Sequence, residues 1–138
     1  MQNDSLVKDY LVRARDRLDA LDLFFGKESW ANVVRESQEI VELVLKALLR
    51  HCRIESPRVH DVGGVLLSER DRLPAIIQEQ LEKITEISKD LRRDRELAFY
   101  GSEDLTPSEF YSKKDASKAR TSANFVTKIV AEAVGIKL

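Results

Sequence analysis

Residues 30–52 read WANVVRESQEIVELVLKALLRHC, and the spacing of their apolar side chains decides the fold. Trp30, Val33, Ile40, Val41, Val44 and Leu48 recur at steps of three, four and seven, with Ser37 the one small polar member of the stripe. That period predicts a helix with one face turned inward. The same period extends on both sides. Residues 5–25 put Val7, Leu11, Ala14, Leu18, Leu21 and Phe25 on one side of a first helix, with Gly26 placed to end it. Pro74 suits the first turn of a later helix that carries Ile77, Leu81, Ile84, Ile87, Leu91 and Ala98 inward and runs to Tyr100, where Gly101 stops it. At 1.5 Å per residue, residues 74–100 make a rod of roughly 40 Å. A last helix places Ala116, Ala119, Ala123, Val126, Val130 and Ala133 on one side, small residues that allow close packing.

Between these rods the chain carries connectors. A short helix is expected over residues 61–69, weakened by Gly63 and Gly64, each costing about 1 kcal/mol relative to alanine in a helix interior. Thr106-Pro107-Ser108-Glu109 has the form of a capping box, so a single extra turn is expected there; Ser112 with Asp115 offers a second, weaker cap for the last helix. Alternation of the strand type is absent. The expected fold is therefore all-α: an antiparallel up-and-down four-helix bundle with a short additional helix, residues 1–138 forming one domain.

Composition narrows the function classes. Lys and Arg number 23 against 24 Asp and Glu, a formal charge of −1, which excludes a protein that coats nucleic acid by bulk charge alone. The last 27 residues are locally basic, with Lys113, Lys114, Lys118, Arg120, Lys128 and Lys137 against Asp115 and Glu132. Cys52 is the only cysteine, so no intrachain disulfide can form and a reducing, cytoplasmic setting is expected. No apolar run approaches the roughly 18 residues of a membrane span, and no membrane association is expected. His51 and Cys52 point about 100° apart on a helix, and no further ligand completes a metal set; neither a metal nor a cofactor is expected.

Charge enters the apolar stripe of the long helix at Asp94 and Arg95, and a charge held against a packed face needs partners, water or a role. Arg92 and Arg93, among Lys89, Asp90 and Glu96, read as a solvated face, whereas Arg95 is either paired inside the bundle or part of a site. Tyr100, five residues on, either aims its hydroxyl at the same cleft or anchors the helix end by its ring. Glu42 and Lys46 form an i,i+4 pair, with the alternative that Glu42 meets an inward Arg95. His60 is the better histidine for chemistry, since His51 sits at a helix end where the dipole accounts for a basic side chain. The candidate set is thus Arg95, Tyr100, Glu42, Lys46 and His60 around one polar cleft, with Arg95, Tyr100 and His60 the catalytic candidates.

In order along the chain, SQEIVELVLKALL (residues 37–49), His60-Asp61-Val62, Arg95-Glu96-Leu97-Ala98-Phe99-Tyr100-Gly101 and residues 111–116 resemble the HEPN domain, the "higher eukaryotes and prokaryotes nucleotide-binding" helical bundle. The resemblance spans roughly residues 10–134. It implies a four- to five-helix bundle, frequent homodimerisation, and frequent association with a minimal nucleotidyltransferase, sometimes as a toxin–antitoxin pair. Many members are metal-independent ribonucleases whose motif is an arginine, four to six residues, then a histidine at the end of this helix. Here the frame reads Arg95, four residues, Tyr100. Cleavage through a 2′-hydroxyl needs proton transfer as well as charge stabilisation, and a phenol is a poor base at neutral pH. The resemblance therefore implies a module that binds a nucleotide, RNA or a nucleotidyltransferase partner. The alternatives are a ribonuclease with altered acid–base residues and a purely structural dimerisation module.

Overall fold

The structure is a computed structural model and describes residues 2–56, 62–102 and 105–138, the side chains of Gln2, Arg95, Glu96, Leu97 and Phe99 excepted. Among the described residues every regular element is helical: α1 (Gln2–Gly26), α2 (Trp30–His51), α3 (Val62–Ser68), a 3-10 turn (Arg70–Arg72), α4 (Ala75–Glu79), α5 (Leu81–Tyr100), α6 (Pro107–Phe110) and α7 (Lys113–Val134).

Contacts at the helix ends set the directions. Asn3 at the start of α1 donates to the Arg50 carbonyl at the end of α2, and Phe25 meets Trp30 edge-on at 5.1 Å at the other end, so α1 and α2 are antiparallel. Arg120 reaches Asp22 at 2.6 Å and lies over the Phe25 ring, tying early α7 to late α1. Lys83 caps the Phe125 ring at 3.9 Å and Tyr111 meets Asp94, so α5 and α7 are also antiparallel. The four long helices run up, down, up, down, as the periodicity predicts.

They do not form a square. α2 packs against α1, α5 and α7 together, whereas α1 and α5 have at most a marginal contact. α7, parallel to α2, comes in along the diagonal because Ala116, Ala119 and Ala123 bring no bulk between the two backbones; all three are buried. That placement explains why α2 buries more than its predicted stripe: 12 of its 22 residues are buried, Val34, Gln38, Leu45, Ala47 and Leu49 among them. Ser37 is fully buried and donates to the Val33 carbonyl at 2.7 Å, which satisfies the hydroxyl without a tertiary partner.

Two local expectations change and one is refined. The rod expected over residues 74–100 is two helices: Gln80 leaves the helical region (φ −110°, ψ 12°) between α4 and α5, and Pro74 precedes α4 as its N-cap instead of sitting in the first turn. α1 ends at Gly26 as expected, but the left-handed residue of the exit is Glu28 (φ 58°), after which the Ser29 amide bonds back to the Phe24 carbonyl. The two caps also exchange strength. Ser112 and Asp115 make the complete reciprocal capping box, whereas Thr106 accepts from the Glu109 amide while the Glu109 side chain bonds the Thr106 hydroxyl.

Candidate functional site

The last turns of α5 carry the family-like frame, and two features fix where that helix stops. Gly101 adopts φ +82°, and a Cβ there would sit 2.7 Å from the Leu105 carbonyl oxygen and 2.8 Å from Pro107 Cδ. The Ser102 amide then bonds the Leu105 carbonyl, folding the loop back towards α6. Tyr100, one residue before the turn, is 74% exposed. Its ring lies outside the core, so the expectation of a ring anchoring the helix end by burial is not met.

Asp94 is the charged residue of the stripe whose surroundings are described. It is half-buried in a groove of about 380 Å3 between α5 and α7, together with Leu91, Tyr111, Asp115, Lys118 and Val34 of α2. The buried Tyr111 donates its hydroxyl to the Asp94 backbone carbonyl at 3.3 Å. Burial pushes the Asp94 carboxyl upward, partly offset by the Arg93 charge and by the neighbouring Tyr111 hydroxyl. Burial, and then the Asp94 charge, push the Tyr111 phenol up as well, so this hydroxyl remains a donor across the neutral range. A phenol in that state holds structure and is no proton acceptor.

Glu42 and Lys46 belong to a different level of the bundle. Glu42 accepts from Gln38 Nε2 at 2.8 Å and from Lys46 Nζ at 3.2 Å, its side chain only 12% exposed. Gln38, itself buried, accepts from Arg35, which also pairs with Glu39, and Glu39 and Glu36 meet Arg17 of α1 at 3.8 and 3.5 Å. The pair is therefore one segment of a polar ladder along α2. Burial raises the Glu36 carboxyl, with Arg17 opposing it. Val34 shares the groove with Leu91 and Asp94, so the turn of α5 that carries Arg95 is level with the start of α2; Glu42 lies eight residues further along, roughly 12 Å.

The five candidates are thus not gathered into one described cleft. Arg95 and Tyr100 share the end of α5, Glu42 and Lys46 share the ladder, and Lys46 opens onto a second groove with Tyr10, Arg50 and Arg53. His60, with Asp61, and the side chain of Arg95 lie outside the described residues. The half-buried Cys52 thiol is pushed up by burial, the opposite of what a nucleophile needs. Among the described residues no three His, Cys, Asp or Glu side chains converge as metal ligands would. No described helix is long and apolar enough to cross a membrane.

Two groups escaped the sequence reading. Tyr111 was visible only as part of a family-like stretch, since its pairing with Asp94 joins residues 17 apart in the chain. Tyr10, Arg50 and Arg53 carry no motif and become neighbours only because α1 and α2 are antiparallel.

Comparison with known proteins bears on the whole chain. The model of the HEPN domain family matches residues 7–134. No curated protein is similar enough to be recognised as a relative. Among solved structures, the crystal structure of an archaeal HEPN homologue superposes with a TM-score of 0.64 at 21% identity, covering 93% of this chain and 97% of that one. A family match over nearly the full length, on a bundle of the same fold, means that this chain belongs to the HEPN domain family.

Proposed function

We propose that this chain is a non-catalytic HEPN module, cytoplasmic and homodimeric, whose α5 end engages a nucleotide, an RNA or a minimal nucleotidyltransferase partner, as in a toxin–antitoxin pair. The observation that carries the reading is the frame Arg95-x4-Tyr100, in which a phenol stands where the ribonuclease pattern has its histidine. The arginine half of that chemistry, a fixed cation with a fork of donors suited to phosphate oxygens, is retained. The proton-transfer half is not. The 74% exposure of Tyr100 supports a role in contact with a ligand or partner. Arg95 and Tyr100 are the residues assigned to that contact, with His60 a further candidate; Glu42 and Lys46, on another level of α2, would meet only a ligand or partner that extends beyond the α5 end.

Titrating adenine nucleotides and a short single-stranded RNA against the protein and its Arg95→Ala variant tests this reading. Saturable binding that the variant loses is the expected result. Absence of binding to the unaltered protein removes the ligand part of the proposal. Cleavage of the RNA that vanishes with Arg95→Ala would replace it by the ribonuclease reading, with Tyr100→Phe and His60→Ala then identifying the proton-transfer group. A protein that binds nothing yet sediments as a dimer would leave the structural dimerisation module.

A further inference from the structure

Where α1 begins and α2 ends, the two helices enclose a groove of about 480 Å3 lined by Asn3, Tyr10, Lys46, Arg50, Arg53 and Ile54, with Glu55 its acid. Three cations from one helix end have a simple competing explanation, since basic side chains near a helix C-terminus complement its carbonyls. Here those carbonyls are already occupied. The Leu48, Leu49 and Arg50 carbonyls accept from the amides of Cys52, Ile54 and Arg53 at 3.0, 2.9 and 3.1 Å. Asn3 Nδ2 adds a second donor to Arg50 at 2.9 Å. The Arg72 guanidinium serves Cys52 and Arg53 at 3.3 and 2.7 Å. Capping therefore does not employ the Lys46, Arg50 or Arg53 side chains.

Arg53 also stands in the left-handed conformation, φ 58°, a position where glycine is favoured and a long side chain is not. Its guanidinium has no partner among the described residues. Arg50 makes only a long contact with Asn3 Oδ1, 3.4 Å, and Lys46 is held from behind by Glu42 at 3.2 Å. The half-buried Tyr10 and the buried Ile54 supply the apolar part of the lining.

We propose that this groove is a binding site for a phosphoryl group, the terminal group of a phosphomonoester or a diphosphate. Arg50 and Arg53 stand against Glu55 while Lys46 is balanced by Glu42, which leaves one net positive charge carried on two guanidinium groups. Arginine forks supply paired donors to phosphate oxygens. A volume of 480 Å3 exceeds a bare phosphate and leaves room for an organic substituent against Tyr10 and Ile54. This site is independent of the reading given to Arg95 and Tyr100.

The test follows amide resonances of the full chain during titration with pyrophosphate and, separately, with AMP, in 150 mM salt. The variants are Arg50→Gln, Arg53→Gly and Arg95→Ala. Arg53→Gly removes the cation while relieving the left-handed residue, so lost binding in it does not report unfolding. The expected result is saturable shifts of residues 3–10 and 46–56, with the affinity read at those residues weakened at least fivefold in Arg50→Gln and Arg53→Gly; shifts at the end of α5 that Arg95→Ala removes report the separate contact assigned to Arg95 and Tyr100. Tighter binding of AMP would identify an ester whose organic part uses Tyr10, and equal binding would identify the phosphoryl group alone; both support the site. No saturation at millimolar ligand, wild-type binding by Arg50→Gln and Arg53→Gly, or loss only in Arg95→Ala would overturn it. The last result would assign the phosphate to the α5 end instead.

Discussion

Tyr111 holds the start of α7 against α5 by donating its hydroxyl to the Asp94 backbone carbonyl at 3.3 Å. The bond joins one stretch of the family-like pattern to the residue just before another. It also leaves the Asp94 carboxyl half-buried beside a ring that is itself buried. Burial disfavours the charged form of both groups.

The raised Asp94 carboxyl has a signed consequence for stability. The native state binds this proton more tightly than the unfolded chain, so its contribution is fully present below the ordinary carboxyl pKa and is lost as pH rises through the higher folded value. Asp94→Asn should flatten that part of the profile and be more stable than the parent at pH 7. Thermal melts between pH 3 and 7 check it; a variant less stable at pH 7 would mean that the carboxylate is net stabilising.

Two glycines should respond to alanine in opposite directions. Gly101 is left-handed, and a Cβ would press on the Leu105 carbonyl at 2.7 Å, so Gly101→Ala should destabilise by about 2 kcal/mol or more. Gly26 ends α1 with nothing within 4 Å of the added carbon, and Gly26→Ala should be neutral or stabilise by up to about 1 kcal/mol. Urea unfolding of the two variants side by side measures the contrast.

The close approach of α7 to α2 depends on alanine. Ala123 is fully buried, and Ala123→Leu would force the parallel pair apart, costing about 1–3 kcal/mol. A variant as stable as the parent, with an unchanged near-ultraviolet spectrum, would show that the diagonal contact tolerates bulk.

The caps rank differently in the structure than in the sequence. Ser112→Ala removes both the acceptor for the Asp115 amide and a donor to the Asp115 carboxylate, and should cost about 1 kcal/mol. Thr106→Ala touches only the four-residue α6 and should change global stability by less. Chemical denaturation with matched m-values separates the two.

Much of the architecture was legible in periodicity. The stripes of α1, α2 and α7 point to the core as read, because a 3.6-residue period survives any arrangement of neighbours. The break at Gln80 was not legible, since no proline or glycine marks it and the apolar phase continues across it from Ile77 to Leu81 and Ile84. The end of α1 at Gly26 was legible, but the left-handed residue beyond it was not: glycine usually takes that conformation, yet here it is Glu28. The resemblance located Arg95 and Tyr100 on the end of one helix, and the structure agrees on that backbone position.

By itself the sequence determined which faces are apolar and which family frame has lost its histidine, both of them properties of residues within a few turns of one another. Only the tertiary structure decided that α7 packs along the α2 diagonal, that Tyr111 reaches Asp94, that Glu42 and Lys46 stand apart from the α5 end, and that Tyr10, Arg50 and Arg53 share a groove. Those relations depend on helix direction and lateral packing. Both are settled by how whole faces fit together, a matter of volume and contact between distant residues that no local spacing records.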